Sequence, residues 1–139
     1  MTLTFVDAGV LIAASRGQGD LALQALRLLD DPQRTFASSV FVKLEVLPLP
    51  TFHHRTVEVA FFDAYFESVR HWPASNDDVV QKGFEEAVTS GLAALDALHV
   101  AAARLLGVDV LVTTEKRSKA FHRVQGLEVH SLTEDLSRR

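Results

Sequence analysis

Apolar and polar positions along this chain follow two rhythms: short unbroken apolar runs, and longer stretches with helical spacing. Residues 3–7 form the first run, Leu3-Thr4-Phe5-Val6 closed by Asp7, and predict a short buried strand. Val10 to Ala14 opens a helix that Gly17 and Gly19 end. Leu21, Ala22, Ala25, Leu26 and Leu29 repeat with the period of a second helix, stopped by Asp30-Asp31-Pro32. Residues 34–37 predict a brief strand. Ser38 or Ser39 caps a helix running towards Leu47, and Pro48 and Pro50 end it. Residues 56–69 predict a long amphipathic helix with Val57, Ala60, Phe61, Ala64, Tyr65 and Phe66 inward. Residues 69–72 suggest a third strand closed by Pro73. Asn76 or Asp77 caps a helix over 79–90, turned by Gly91, and a further helix spans 95–106 and ends at Gly107. Residues 109–112 are a β-rich run, 116–121 a short helix, 127–131 a last strand, and the charged residues 134–139 a frayed tail.

Short apolar strands alternating with helices imply an α/β fold, with a parallel sheet of about five short strands covered on both faces. No repeat, low-complexity stretch or linker interrupts the 139 residues, so the expectation is a single domain over 1–139. In such open sheets ligands bind beyond the carboxyl ends of strands.

Composition narrows the class. Hydrophobic residues make up 47% and charged residues 23%, which excludes disorder as a default. No apolar run approaches the roughly 20 residues of a membrane span. The start Met1-Thr2-Leu3-Thr4-Phe5-Val6-Asp7 has no basic region and no cleavage signal, so the expectation is a cytoplasmic protein without a membrane partner. Cysteine is absent, which excludes disulfides, thiolate metal sites and a cysteine nucleophile. A net charge of -4 argues against a tight nucleic-acid coat protein. A bound divalent cation can still invert the local potential and permit transient contact with nucleic acid. Neither a G-x-S-x-G elbow nor a phosphate-cradling glycine loop occurs in the sequence.

Four carboxylates interrupt or close strongly apolar segments: Asp7 after Leu3-Thr4-Phe5-Val6, Glu45 within Val40 to Leu47, Asp96 within Gly91 to Leu98, and Glu115 after Val110-Leu111-Val112-Thr113-Thr114. Burying an unpaired carboxylate costs several kcal/mol or forces it to take up a proton. Gathered together, the four would repel each other unless a cation sat between them. The pattern therefore suggests a divalent-metal site. Each acid also has an ordinary reading: Asp7 as a helix cap, Glu45 as the partner of Lys43 or Arg55, Asp96 as the N-cap of its helix, and Glu115 as a helix-start acid favoured by the dipole.

Val6-Asp7-Ala8-Gly9-Val10-Leu11-Ile12, Lys43-Leu44-Glu45-Val46, Leu95-Asp96-Ala97-Leu98-His99-Val100-Ala101-Ala102 and Val112-Thr113-Thr114-Glu115-Lys116 resemble the four acidic motifs of PIN-domain nucleases. The branch they look most like is the VapC-like toxin ribonucleases. The motifs occur in family order across nearly the whole chain, and the Asp96 to Ala102 stretch is the most specific. The resemblance implies a three-layer α/β/α sandwich and Mg²⁺ or Mn²⁺ at the acidic cluster. It further implies endonucleolytic cleavage of RNA, a cognate antitoxin, and a homodimer or higher even oligomer. Two departures stand out. Ala8 and Gly9 replace the Ser or Thr usual after the first Asp, and Glu115 stands where Asp is more common. They motivate a rival reading, a catalytically impaired PIN-like module that binds RNA or a protein partner.

Phosphodiester hydrolysis explains why such residues would be needed. The phosphate is already an anion, so an attacking water requires both activation and charge neutralisation, and hard oxygen ligands suit Mg²⁺ and Mn²⁺. Asp7 and Asp96 are assigned as direct ligands, Glu45 as a ligand through water or as the base, and Glu115 as the acid completing the pocket. Thr113 and Thr114 can donate to a carboxylate or a phosphate. Arg16, Lys43, Lys116, Arg117 and Lys119 are candidates for phosphate contacts, with solvated surface charge as the alternative. His99, three residues after Asp96, shares its helix face and reads better as a packed or supporting histidine than as a substrate contact. Phe41, Phe61, Phe62, Tyr65 and Phe66 read mostly as core, with a surplus on the 61–66 helix that hints at a partner face.

Overall fold

The computed structural model describes residues 1–116 and 120–133. The element order is β1 (Thr2–Val6), α1 (Ala8–Arg16), α2 (Gly19–Leu29), β2 (Arg34–Ala37), α3 (Val40–Val46), α4 (Pro48–Phe52), α5 (Thr56–Ser68), α6 (Asn76–Ser90), α7 (Ala94–Leu105), β3 (Val110–Thr113), a 3₁₀ turn at Ala120–Arg123 and β4 (Val129–Ser131). The strands form one sheet in the order β2-β1-β3-β4, and every neighbouring pair is parallel. Seven α-helices flank it among the described residues, giving an α/β sandwich.

Parallel neighbours need crossover connections. α1 and α2 carry the chain from β1 to β2, and α3 to α7 carry it back past β1 to β3. The chain thus leaves the carboxyl end of β1 towards one edge of the sheet, and that of β3 towards the other. This divergence opens a crevice between the ends of β1 and β3, the topological switch point where open sheets bind ligands. Register fixes what meets there: Val6 pairs with Val112, so Asp7 and Thr113 emerge side by side.

The core lies against the central strands. Phe5, Val6, Leu111 and Val112 are fully buried, as are Val10 and Leu11 of α1 and Val100 and Ala101 of α7. α3 packs on both α1 and α7, which brings its acid towards theirs. Gly17 and Gly91 close α1 and α6 in the left-handed conformation expected of helix stops. None of the described helices is long and apolar enough to cross a membrane.

The structure corrects several expectations. The sheet has four strands, not five: the segment 69–72 contributes a single parallel bridge, Ala37 to His71. Arg70 N–H and His71 N–H both donate to Phe36 O, and Pro73 has no N–H to extend a ladder. Pro48 does not simply end a helix; it occupies the first turn of α4, where its fixed φ is an asset. Ser75, not Asn76 or Asp77, caps α6 by accepting from Asp78 N–H. α5 buries Phe62, Tyr65 and Phe66, while Val57, Ala60 and Ala64 face solvent. The proposed helix over 116–121 is a 3₁₀ turn at Ala120–Arg123 in its described part, and the tail 134–139 lies outside the described residues.

Candidate metal centre

Asp7 is the first residue past β1, and the chain turns directly from it into α1. Its extended backbone (φ -69°, ψ 155°) makes it the N-cap, and Ala8 N–H donates to its Oδ1 at 2.8 Å. Thr113, the last residue of β3, donates its hydroxyl to Oδ2 at 2.8 Å. Both carboxylate oxygens are therefore held, and the residue is only 6% exposed. The capping reading of Asp7 is correct, and the same carboxylate also lies within reach of His99 and Glu45. Burial pushes its carboxyl up to about 6; His99 and the Thr113 hydroxyl oppose that rise, while Glu45 and Asp96 add to it.

Glu45 lies in the last turn of α3, a helix capped by Ser39, whose Oγ accepts from Phe41 N–H at 3.2 Å. Its partner is neither Lys43 nor Arg55. The Lys43 ammonium sits 4.9 Å from the Trp72 ring centroid and 5.5 Å from that of Phe66, and Arg55 lies 3.8 Å from Glu58. Instead, Glu45 Oε1 lies 2.9 Å from Nε2 of the fully buried His99, and the same nitrogen lies 3.9 Å from Asp7 Oδ1. One donor atom from each of Asp7, Glu45 and His99 falls within 4.8 Å of the others.

Asp96 is not the cap of α7: Ala93 occupies that position without a side-chain hydrogen bond, and Asp96 stands in the first turn. Its carboxyl is raised, first by burial and then by the charge of Glu115, with His99 opposing and Glu45 reinforcing. Asp96 and Glu115 thus stand near enough to repel. Glu115 is in the loop past β3, not at the start of an α-helix, and its N–H donates to Thr113 Oγ1 at 3.0 Å. One threonine hydroxyl therefore ties Asp7 to the backbone of Glu115.

The electrostatic consequence is plain. Segments far apart in sequence deliver four carboxylates to the crevice between β1 and β3, and among the described residues no lysine or arginine pairs with any of them. The carboxyls of Asp7 and Asp96 are raised first by burial, and the neighbouring acids add to the rise while His99 opposes it. The carboxylate oxygens are hard donors of the kind that fit a divalent cation such as Mg²⁺ or Mn²⁺.

The remaining sequence candidates fall in different places. Thr113 is fully buried with its hydroxyl engaged as described. Thr114 is half-buried, and its Oγ1 fills the space beside Gly9 so closely that a Cβ there would overlap it. Lys116 is exposed next to Glu115. Arg16 is exposed at the far end of α1, roughly 13.5 Å along the helix axis from the Asp7 cap. Arg117 and Lys119 lie outside the described residues. Phe62, Tyr65 and Phe66 are core, while the exposed apolar residues Val40, Leu44 and Phe52 line a groove of about 500 Å³ on α3 and α4, beside Glu45. The helix-sharing of His99 with Asp96 was readable from spacing, but its approach to Glu45, 54 residues away, was not.

Comparison with known proteins agrees with this fold. A chain of VapBC2 from Rickettsia felis, solved bound to a DNA fragment from the promoter, superposes with a TM-score of 0.69 at 18% identity, covering 93% of this chain and 98% of that one. VapBC-1 from nontypeable Haemophilus influenzae gives a TM-score of 0.67 at 18% identity, covering 94% and 98%. Mycobacterium tuberculosis VapC20, a Sarcin-Ricin loop cleaving toxin, gives 0.62 at 22% identity, covering 78% and 86%. No curated protein matches the chain at a significant level. The family model for the PIN domain matches residues 4–127, which take in all seven α-helices and the sheet apart from β4 and the start of β1, and the chain belongs to the PIN domain family.

Proposed function

We propose that this protein is a metal-dependent endoribonuclease that hydrolyses RNA phosphodiester bonds, the toxin of a toxin–antitoxin pair. The observation that carries the reading is the convergence of Asp7, Glu45, Asp96 and Glu115 on one crevice without a lysine or arginine partner among the described residues. Among the described residues the one imidazole ion-paired with their side chains is His99, which cannot offset four carboxylates. A site awaiting Mg²⁺ or Mn²⁺ keeps them close, repelling and partly dry.

Asp7 and Asp96 would hold the ion directly. When bound, a divalent ion lowers the pKa of its water and stabilises charge on the leaving oxygen. Glu45, partly exposed, orients the attacking water or reaches the ion through one. Glu115 extends the negative pocket on the β3 side. Thr113 holds Asp7 still, so the ligand oxygens are fixed before substrate arrives. Lys116, at the exposed rim, meets a phosphate near the cleaved bond, Thr114 lies beside it, and Arg16 lies where only a more distant phosphate of the same RNA would reach.

The similar VapBC complexes support an antitoxin partner, and the apolar groove of Val40, Leu44 and Phe52 beside Glu45 suits a protein segment that covers the site. We further place the protein in the cytoplasm as a homodimer or higher even oligomer, following the family resemblance. The test is direct. Purified protein with structured RNA should cleave in Mn²⁺ or Mg²⁺, stop with chelator, and lose all cleavage on Asp96→Ala. Cleavage that persists in that variant refutes the assignment.

A further inference from the structure

His99 is buried completely, yet among the described residues it is the one imidazole ion-paired with the side chains of these acids. Its Nε2 faces Glu45 Oε1 at 2.9 Å and Asp7 Oδ1 at 3.9 Å. A bare lone pair pointed at two carboxylates would be repelled, so Nε2 carries a hydrogen and donates it to Glu45. The neutral Nε2–H tautomer and the imidazolium both supply that hydrogen, so the contact does not depend on the charge of the ring. Nδ1 is buried without a hydrogen-bond partner among the described residues. A leucine would fill the space beside Phe5 and α7 without stranding a nitrogen there, so packing alone does not account for an imidazole at this position.

Glu45 shows what the imidazole is for. It sits near the end of a seven-residue helix, its side chain is 30% exposed, and the His99 contact is its only side-chain hydrogen bond among the described residues. Without that contact its rotamers lead into solvent. With it, an acid on α3 is fastened to α7 and turned towards Asp7.

We propose that His99 is a positioning residue: its Nε2–H holds the Glu45 carboxylate facing Asp7, so that metal affinity depends on His99 through Glu45. This rests on the metal-dependent reading above. Groups that orient ligands in this way are worth about 10–100-fold in metal affinity.

The experiment is calorimetric Mn²⁺ titration of the full chain at one pH, in wild type, His99→Leu, His99→Gln, Glu45→Gln and the His99→Leu/Glu45→Gln double variant. Glutamine places an amide N–H near the position of Nε2. We expect His99→Leu to bind Mn²⁺ about 10–100-fold more weakly, His99→Gln to recover most of the loss, and His99→Leu to add nothing on the Glu45→Gln background. Thermal unfolding in chelator establishes that each variant is folded, with His99→Met replacing His99→Leu if leucine is not tolerated. Unchanged Mn²⁺ affinity in a folded His99→Leu variant overturns the proposal, because a purely structural histidine predicts that result. A loss that persists undiminished on the Glu45→Gln background also overturns it, since His99 would then act on the ion without Glu45. Failure of the wild type to bind Mn²⁺ is a different result: it overturns the metal reading and takes this inference with it.

Discussion

Asp7→Asn should stabilise the metal-free protein at neutral pH, although it destroys the proposed site. Burial raises the Asp7 carboxyl from its ordinary 3.8 to about 6, which corresponds to about 3 kcal/mol of linkage free energy. A raised folded-state value means that the protonated form is favoured by folding. Its stabilising contribution is complete below the unfolded value and is lost as pH rises from about 4 through about 6. At pH 7.5 the wild type therefore bears an ionised, buried Asp7 that costs it most of that amount. Asparagine removes the charge and keeps the geometry: its carbonyl accepts from Ala8 N–H, and its amide faces the Thr113 hydroxyl, which can turn to accept. In chelator at pH 7.5 the variant should melt higher by up to roughly 10 °C, using about 3 °C per kcal/mol for a chain of this length. Near pH 4 the gain should vanish. Added Mn²⁺ should raise the melting temperature of the wild type at pH 7.5 by mass action and leave the variant unmoved. Circular dichroism melts at the two pH values, with and without Mn²⁺, decide the matter. If Asp7→Asn is no more stable than wild type at pH 7.5 in chelator, the pocket already neutralises Asp7 and the case for an uncompensated acidic cluster fails.

Two further variants probe the scaffold around the site. Gly9→Ala would drive its Cβ into the Thr114 hydroxyl and should cost about 1–3 kcal/mol, recovered by adding Thr114→Ala; a neutral Gly9→Ala in urea unfolding would show that this close approach is absent. Arg104 pairs with Glu86, which is 5% exposed, and also donates to Gln125 O at 2.5 Å. Arg104→Met should therefore destabilise by about 3–5 kcal/mol by stranding a buried carboxylate, and Glu86→Leu in the same chain should recover part of that loss. Equal stability of Arg104→Met and wild type in denaturant would mean the pair is worth nothing.

The acids were legible in the sequence because each breaks an apolar segment, and a charge in such a place is costly enough to require a reason. Their convergence was only partly legible. Alternating strands and helices imply a parallel sheet, but nothing in the residues of β3 says that it inserts beside β1 and so creates the switch point. α5 shows a second limit. Thr56 to Ser68 carries apolar residues on nearly every side, so the period was clear but the phase was not: Tyr65 and Phe66 face the core as expected, while Phe62 is buried and Val57, Ala60 and Ala64 are not. Residues 69–72 have strand-like composition, but whether a run forms a strand depends on which N–H groups find a ladder. Here two of them share Phe36 O.

Gly9 bears most directly on whether the site is intact. The family resemblance leads one to expect a hydroxyl shortly after Asp7, and the chain offers Ala8 and Gly9, a feature that favoured an impaired module. The structure shows what the missing side chain makes room for. Thr114 Oγ1 occupies the space where a Cβ at position 9 would stand, while Thr113 Oγ1 holds Asp7 Oδ2 from the same strand end. Two adjacent threonines at the end of β3 thus bring two hydroxyls to the start of α1. A serine at position 9 would be incompatible with Thr114 as it stands, so the two positions are interchangeable only as a pair. Gly9 therefore leaves room for the Thr114 hydroxyl beside the start of α1. The impaired reading is left to rest on Glu115, whose backbone is pinned by Thr113 and whose charge already reaches Asp96 despite the longer side chain.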